Sequence, residues 1–182
     1  MVLGTQRLIL REITQDDFLP LCEILQDEEV MYAYEGAFSK EEVQGWLDKQ
    51  LARYKEDGFG LWAVCLKETG IMIGQCGLTM QEYEGGRVLE VGYLFQKKYW
   101  HHGYATEAAS ACKAYAFDRL HVQEVYSIIR DSNLASQKVA RRNGMSCIGQ
   151  FVKHYRGVDM PHYLFAVKNH NGIKLKNISE FD

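Results

Sequence analysis

Residues 100–108, Trp-His-His-Gly-Tyr-Ala-Thr-Glu-Ala, decide how this chain is interpreted. They follow an apolar, strand-like run at 88–95 and lead into an alanine-rich run at 105–120 that predicts a helix. Backbone N–H groups at a helix start lack partners inside the helix, and the helix dipole favours negative charge there. A strand that turns through small residues into a helix is therefore suited to binding phosphate. A bulky side chain at Gly103 or Ala105 would hold a phosphate away from the backbone.

This segment is neither a Walker A loop nor a GxGxxG dinucleotide fingerprint, because the required Gly-Lys-Ser/Thr and glycine spacings are missing. By itself it is also compatible with an ordinary helix start whose small residues only allow tight packing. A second segment, residues 133–145, Asn-Leu-Ala-Ser-Gln-Lys-Val-Ala-Arg-Arg-Asn-Gly-Met, adds the decisive context.

Together the two segments resemble the GNAT superfamily of acetyl-CoA-dependent N-acetyltransferases. The phosphate loop of that superfamily reads Q/R-x-x-G-x-G/A, and its later signature is an Asn, a small residue three positions on, and then Gly with an apolar residue. The positions of this chain that keep these two registers are Trp100, Gly103, Ala105, Asn133, Ser136, Gly144 and Met145.

The resemblance is to the RimJ/RimL branch, which acetylates the N-termini of ribosomal proteins. It rests on the Tyr-Ala-Thr-Glu-Ala run at 104–108, the Asn133–Ser136 spacing and the opening Arg-Leu-Ile-Leu-Arg-Glu at 7–12. It extends over roughly residues 5–168, and it implies acetyl-CoA as co-substrate, no metal, and an amine acceptor such as a ribosomal-protein N-terminus.

The composition indicates one globular domain over residues 1–182, with a core at about 5–168 and a C-terminal tail at 169–182. The chain is 47% hydrophobic and 25% charged, which is ordinary for a globular protein. A net charge of −3 gives no reason to expect a nucleic-acid partner. Neither composition nor resemblance chooses between a monomer and a homodimer.

The five cysteines indicate reduced thiols rather than a disulfide framework, because their number is odd and no CxxC spacing occurs. With no signal peptide and no apolar run long enough to span a membrane, the sequence predicts a cytoplasmic protein without a membrane partner.

Periodicity and turn signals predict the element order β-α-α-β-β-β-α-β-α-β-β, an α/β (α+β) fold with helices flanking a mixed, largely antiparallel sheet. A first helix is predicted to start at Thr14 or Asp16, and a second to start after a capping box at Ser39. The GNAT resemblance implies that the strand before the phosphate loop splays away from the next strand and admits the cofactor.

Glu90 is the candidate general base, because it is a lone carboxylate in an otherwise apolar strand. Glu90, Gly92 and Leu94 share one strand face, and burial at a cleft would raise the pKa of the carboxyl into a useful range. The alternative is an ordinary solvent-facing or salt-bridged strand residue.

Ser136 is the candidate for hydrogen-bonding the departing thiolate, because Ala140 stands where many GNAT enzymes have a tyrosine. Asn133 completes the predicted catalytic group. Either Asn133 or Ser136 is alternatively a helix N-cap. Tyr155 or Tyr163 in the final hairpin could substitute as the acid.

The pyrophosphate is expected to bind backbone N–H groups of residues 101–106, with help from the Thr106 hydroxyl. His101 stands where relatives usually have Gly, and its N–H remains a suitable donor if its φ is negative. His101 and His102 lack the spacing of a metal-binding pair. The predicted cofactor-binding residues are Tyr93, Leu94, Phe95, His101, His102, Gly103, Tyr104, Ala105, Thr106, Asn133 and Lys138.

The acceptor is expected to meet the segment between the first two helices, which mixes aromatics and carboxylates suited to a cationic amine. The predicted substrate-binding residues are Tyr32, Tyr34, Glu35 and Tyr155. Three functions remain open: acetylation of a protein N-terminal α-amine in a ternary complex, acetylation of a small-molecule amine, and a catalytically silent CoA-binding module.

Overall fold

The computed structural model describes residues 1–169, and their centre is an eight-stranded mixed sheet. All neighbouring strands are antiparallel except the fifth and sixth in chain order. Of the predicted tail at 169–182, residues 170–182 lie outside the described residues. In the spatial order 1-2-3-4-5-6-8-7 the strands are β1 (Leu3–Gly4), β2 (Leu8–Glu12), β3 (Leu61–Leu66), β4 (Met72–Tyr83), β5 (Gly86–Phe95), β6 (Glu124–Arg130), β8 (Val158–Lys168) and β7 (Ser146–Tyr155).

The helices are α1 (Phe18–Leu25), α2 (Glu28–Met31), α3 (Lys40–Glu56), α4 (Tyr104–Asp118) and α5 (Leu134–Arg142). The Ser39 capping box is confirmed: the Ser39 hydroxyl accepts from the N–H of Glu42 at 3.2 Å, and the Glu42 carboxylate accepts from the N–H of Ser39 at 2.8 Å. The predicted start at Thr14 is confirmed for the helical segment as a whole, because Thr14 is the N-cap of a 3₁₀ turn, Gln15–Asp17, that runs directly into α1. Pro20 lies in the first turn of α1, where a missing N–H is tolerated.

Each face of the sheet buries its own apolar core. Trp62 and Val64 of β3 face α4, whereas Ala63 and Cys65 face α1 and α3. This separation follows from the alternation of side chains along a strand. The sheet is therefore the middle of three layers, and its ends and edges are the places where a site can open.

The sheet splits between β5 and β6, the parallel pair. Glu90 and Tyr126 are their one register pair. Two side chains bridge the strands just beyond it: the Ser127 hydroxyl donates to the carbonyl of Val91 at 2.8 Å, and the Glu90 carboxylate accepts from the N–H of Ile128 at 3.0 Å. Past Val91 the edge of β5 that faces β6 is free of ladder bonds, as the GNAT resemblance implied.

Candidate active site

The first turn of α4 presents a row of backbone donors at the end of the splayed strands. Gly103 is the N-cap and has φ +81°, a left-handed conformation that favours glycine. The first intrahelical bond runs from the N–H of Glu107 to the carbonyl of Gly103 at 3.0 Å. The N–H groups of Tyr104, Ala105 and Thr106 precede it, so they are available to an anion.

His101 adopts φ +65°, so the negative φ on which its suitability as a donor was predicted to depend is not observed. Histidine is among the residues that visit this region more often than most, and the strain is about 1–2 kcal/mol. His102 does not turn toward a common ligand with His101 but stacks on the Tyr104 ring, with ring centres 5.7 Å apart. Within residues 1–169, no three His, Cys, Asp or Glu side chains lie together as a metal site.

Arg7 fastens this loop to the β1–β2 turn. Its Nε lies 2.7 Å from the Glu107 carboxylate, its guanidinium donates to the carbonyl of His102 at 3.0 Å, and it stacks 4.5 Å from the centre of the Tyr104 ring. The Thr5 hydroxyl adds a bond to Glu107 at 2.6 Å. These contacts of Thr5 and Arg7 with Glu107 and the loop, here called the clasp, were not predicted, because no local sequence pattern indicates a partner about 100 residues away.

Glu90 lies at the point where β5 and β6 separate. Its carboxylate accepts from the N–H of Ile128 at 3.0 Å and lies 3.4 Å from the Thr79 hydroxyl. Burial raises the pKa of Glu90, against the opposing effects of Lys153 and of these two hydrogen bonds. Within residues 1–169 the carboxyl is thus neither a free solvent-facing group nor half of a salt bridge, and burial makes it bind a proton more tightly than an ordinary glutamate does.

The face of β5 that carries Glu90 remains partly open. Glu90, Gly92 and Leu94 are half-buried, while Val91 and Phe95 on the other face are buried. A Cβ at Gly92 would meet the Leu61 side chain at 3.7 Å, an ordinary contact, so the strand surface beside Glu90 is not filled by the protein.

The start of α5 lies beside the opening between β5 and β6. The Asn133 side chain accepts from the N–H of Ser136 at 3.0 Å, so Asn133 is the N-cap and the Ser136 hydroxyl is not used for capping. The Tyr93 hydroxyl donates to the carbonyl of Ser136 at 3.1 Å, and burial raises the pKa of Tyr93. Tyr93 and Ser136 are therefore brought together across the splay, while Lys138 is exposed on the outer side of α5.

Two of the predicted acceptor residues, Tyr32 and Tyr34, lie in the short turn between α2 and α3. Tyr34 packs edge-on against Trp46, with ring centres 6.1 Å apart. Burial raises the pKa of Tyr34. Tyr155, the last residue of β7, lies beside the hairpin turn and is exposed. Tyr32 is 42% exposed, which leaves its ring at the surface.

Glu35 and the β7–β8 hairpin close this side of the site. The Glu35 carboxylate pairs with Arg130 at 2.5 Å, and Arg130 also donates to the carbonyl of Tyr32 at 3.0 Å. Arg156 at the hairpin turn pairs with Glu42 on α3. The charge on Glu35 is thus already balanced within the chain. Neither arginine was predicted, because only the fold brings the end of β6 to residues 32–35 and the hairpin turn to α3.

Gln75 is a further residue that sequence reasoning missed. It lies on β4 opposite Leu94 of β5 and is fully buried. Its side-chain oxygen accepts from the Trp46 indole N–H at 3.0 Å, but its amide nitrogen has no partner among residues 1–169. A glutamine in an apolar strand carries no sequence pattern that predicts this.

Residues 7–146 match the family model described as an acetyltransferase (GNAT) domain. The chain belongs to the GNAT acetyltransferase family. Members of this family use acetyl-CoA. One relative, YnaD of Bacillus subtilis (strain 168), named an uncharacterized N-acetyltransferase, is 30% identical over 84% of this chain and 87% of its own.

Solved GNAT structures share the fold. An acetyltransferase of the GNAT family from Bacillus anthracis superposes with a TM-score of 0.78 at 26% identity, covering 91% of this chain and 96% of its own. RimL, a ribosomal L7/L12 alpha-N-protein acetyltransferase solved in complex with coenzyme A, gives a TM-score of 0.76 at 16% identity, covering 92% and 97%. At that identity the RimL likeness shows the fold alone.

Proposed function

We propose that this chain acetylates the N-terminal α-amine of a protein, with acetyl-CoA as donor and by direct attack in a ternary complex. The observation that carries the proposal is where the donor row of α4 and the Glu90 carboxylate lie relative to β5. The donor row of α4 follows one end of the strand, and Glu90 lies five residues before Phe95, or about 17 Å along the strand. That separation leaves room for an extended thioester arm along the open edge of β5.

The residues fit acetyl-CoA on chemical grounds. The N–H groups of Tyr104, Ala105 and Thr106 and the left-handed Gly103 form a cradle for the pyrophosphate. The Arg7 guanidinium adds positive charge beside the cradle. The edge of β5 beyond Val91 offers the backbone groups of Tyr93 and the N–H of Phe95 to the amides of the arm, whereas the carbonyl of Phe95 already accepts from the Trp100 indole N–H at 2.9 Å. Asn133 caps α5, which also carries Lys138.

An α-amine suits the modest base that Glu90 provides. An α-amino group has a pKa near 8 and a lysine near 10.4, so roughly a tenth of α-amines are neutral at pH 7, against about one lysine in a few thousand. Glu90, with its raised pKa, accepts the proton either directly or through a water. The Ser136 hydroxyl, free of capping duty, donates a hydrogen bond to the departing thiolate.

The acceptor amine would approach over Gly92, between Tyr34, Tyr155 and Glu90. Because Arg130 neutralises the charge of Glu35, we propose that Glu35 holds the turn at Tyr32–Tyr34 in place and does not bind the amine by charge.

No described helix is long and apolar enough to cross a membrane. A cytoplasmic location and a monomeric or homodimeric state are part of the proposal, and size-exclusion chromatography with light scattering measures the latter.

The test is an acetyl-transfer panel read by mass spectrometry. Acetyl-CoA is offered with peptides bearing Ser, Ala or Met N-termini, with lysine peptides whose N-termini are blocked, and with polyamines and aminoglycosides. Acetylation of a free peptide N-terminus supports the proposal. Transfer to small amines alone moves the function to metabolite acetylation. Saturable CoA binding without any transfer identifies a silent binding module.

A further inference from the structure

A groove of about 450 Å³ lies behind Glu90, between the C-terminal half of α3, the end of β4, the start of β5 and β7. It is distant from the phosphate loop. The loop follows the last residue of β5, whereas the groove is lined by Arg87 near the first residue of that strand. Glu90 stands between the two along the same strand.

The groove is connected to Glu90 by two consecutive hydrogen bonds. Gln81, which lines the groove, donates its side-chain amide to the Thr79 hydroxyl at 3.0 Å, and that hydroxyl lies 3.4 Å from the Glu90 carboxylate. Two cations of the groove, Lys153 and Arg53, are also close enough to lower the pKa that burial raises on Glu90. A molecule held in the groove would therefore lie beside the hydrogen-bonded chain of Gln81 and Thr79 that ends on Glu90.

The groove is lined by four cations, Lys49, Arg53, Arg87 and Lys153, and by three carboxylates, Glu56, Asp57 and Glu82, so it carries one positive charge in excess. Arg87 takes up two of the carboxylates, lying 3.9 Å from Asp57 and 3.7 Å from Glu82. Glu56 also lines the groove. The remaining cations, Lys49, Arg53 and Lys153, have no carboxylate within 4.0 Å among residues 1–169.

Two of these cations, Lys49 and Arg53, lie close enough for Arg53 to oppose the charge on Lys49. Desolvation, followed by the charge of Arg53, lowers the pKa of Lys49. Burial lowers the pKa of Arg53, whose guanidinium donates to the side chain of Gln50 at 3.2 Å. The charges of Glu90 and Asp57 act in the opposite direction on Arg53, and a bound anion would likewise favour the charged forms of Arg53 and Lys49.

We infer that the groove is an anion subsite for the acceptor, and that the amine acetylated by this chain belongs to a molecule with a carboxylate close to that amine. The inference rests on the proposed function and narrows its substrate class. Polyamines and aminoglycosides are disfavoured as acceptors, because the groove carries more cations than carboxylates. An acidic peptide N-terminus and a free amino acid share the required chemistry.

The experiment compares kcat/KM for matched acceptors at low and high salt. Two lysine-free peptides begin with Ser and differ only in carrying Asp-Glu or Asn-Gln at the next two positions, and free glutamate and spermidine form the other arms. We expect the acidic peptide or glutamate to exceed its neutral or cationic counterpart by roughly tenfold at low salt, with the ratio falling as salt screens the groove. Whichever acidic acceptor is used identifies the source of the carboxylate.

The variants Lys49→Glu and Lys153→Glu should abolish or reverse the acid-to-neutral ratio. The matched control is Lys55→Glu, which makes the same charge change on the exposed surface of α3 outside the groove and should keep the wild-type ratio. A ratio near one in the wild type, or a ratio that all three variants change equally, overturns the inference while leaving the proposed function standing.

Calorimetry separates failure of the subsite from failure of the enzyme. The same two peptides are titrated into the protein with CoA present, so that no turnover is needed. Preferential binding of the acidic peptide, lost in Lys153→Glu, supports the subsite even if acetyl transfer is absent. Equal binding of both peptides excludes it.

Discussion

At the scale of single residues, Glu90 serves two purposes with one carboxylate. It takes the place of a backbone carbonyl for the N–H of Ile128, and it faces the cleft with a raised pKa. Its strand position and its face were predictable from alternation along β5. Its bond to β6 was not, because the register between two strands joined by a long connection is a property of the whole sheet.

Glu90→Gln should lower kcat by about 100-fold while leaving acetyl-CoA affinity nearly unchanged, since the amide keeps a hydrogen-bond acceptor for Ile128 but cannot accept a proton. The rate of the wild-type enzyme should rise with pH through the raised pKa of Glu90, and that limb should vanish in the variant. Steady-state kinetics from pH 5 to pH 9 measure both. A variant with full activity below pH 7 rules out Glu90 as the base.

The same substitution should maintain or raise stability at neutral pH. Burial raises the pKa of Glu90 above its ordinary value of 4.5, so the folded state binds the proton more tightly than the unfolded state. Above that value, ionisation of Glu90 therefore costs folding free energy, and Gln avoids this cost. Thermal unfolding at pH 7 should give a Tm equal to or above that of the wild type. Glu90→Leu leaves the N–H of Ile128 without an acceptor, so it should instead lower the free energy of unfolding by about 1–3 kcal/mol.

Gly103 allows backbone strain and steric obstruction to be distinguished. Its φ is +81°, and a Cβ would meet only Arg7, at 3.6 Å, so the protein itself leaves room for a side chain. Gly103→Val should weaken CoA binding strongly through both effects. Gly103→Asn tolerates the left-handed backbone and should retain stability yet still bind CoA less tightly. Calorimetry with CoA measures this, with Gly70→Asn, at φ +71° in a distant turn, as control.

At the scale of elements, the parts that the sequence predicts well are those with local causes. The helix α3 was predicted from its capping box, and β5 and α4 from a strand run and an alanine-rich run on either side of the glycine turn. The short β1 and α2 were not predicted, since two and four residues carry no periodicity. The groove lined by α3, β4, β5 and β7 was also not predicted, because these four elements are far apart in the chain.

The contact between the β1–β2 turn and α4 should hold the phosphate loop in shape. Burial alone would raise the pKa of Glu107, but bonds from Thr5 and Arg7 outweigh it and lower the pKa below its ordinary value of 4.5. The resulting stability is present above that pH and is lost as pH falls through the lowered pKa. Glu107→Gln should cost about 1 kcal/mol at pH 7 and weaken CoA binding.

Urea unfolding at pH 7 and under acid conditions measures this effect, and the gap between wild type and variant should close in acid. Glu68→Gln, in the exposed β3–β4 turn, makes the same chemical change without such contacts and serves as control. An equal loss in both variants would assign the effect to net charge rather than to the clasp.

At the scale of the whole molecule, the sheet consists of two blocks, β1–β5 and β6–β8, joined at one register pair and two side-chain bridges. The resemblance to GNAT proteins predicted the split itself. The bridging bonds of Ser127 and Glu90 required the structure, because they are made by residues on strands separated by the whole of α4.

Ser127→Ala should loosen this junction and cost about 1 kcal/mol, because it leaves a buried carbonyl of Val91 without its donor. Hydrogen exchange read by mass spectrometry should show faster labelling of peptides covering 124–130. Ser110→Ala, exposed on α4, should leave that labelling unchanged. If the 124–130 peptides exchange at the wild-type rate in both variants, the hydroxyl is not what holds the blocks together.

The double use of Glu90 couples chemistry to mechanics. In the proposed mechanism, a carboxylate that takes the proton of the incoming amine would weaken its own bond to the N–H of Ile128, because an ionised acceptor makes the stronger hydrogen bond. The two halves of the sheet would then be joined least tightly just after acetyl transfer, when CoA has to leave between them. Loss of the proton from Glu90 would restore both the base and the junction, so one proton transfer would link catalysis to product release.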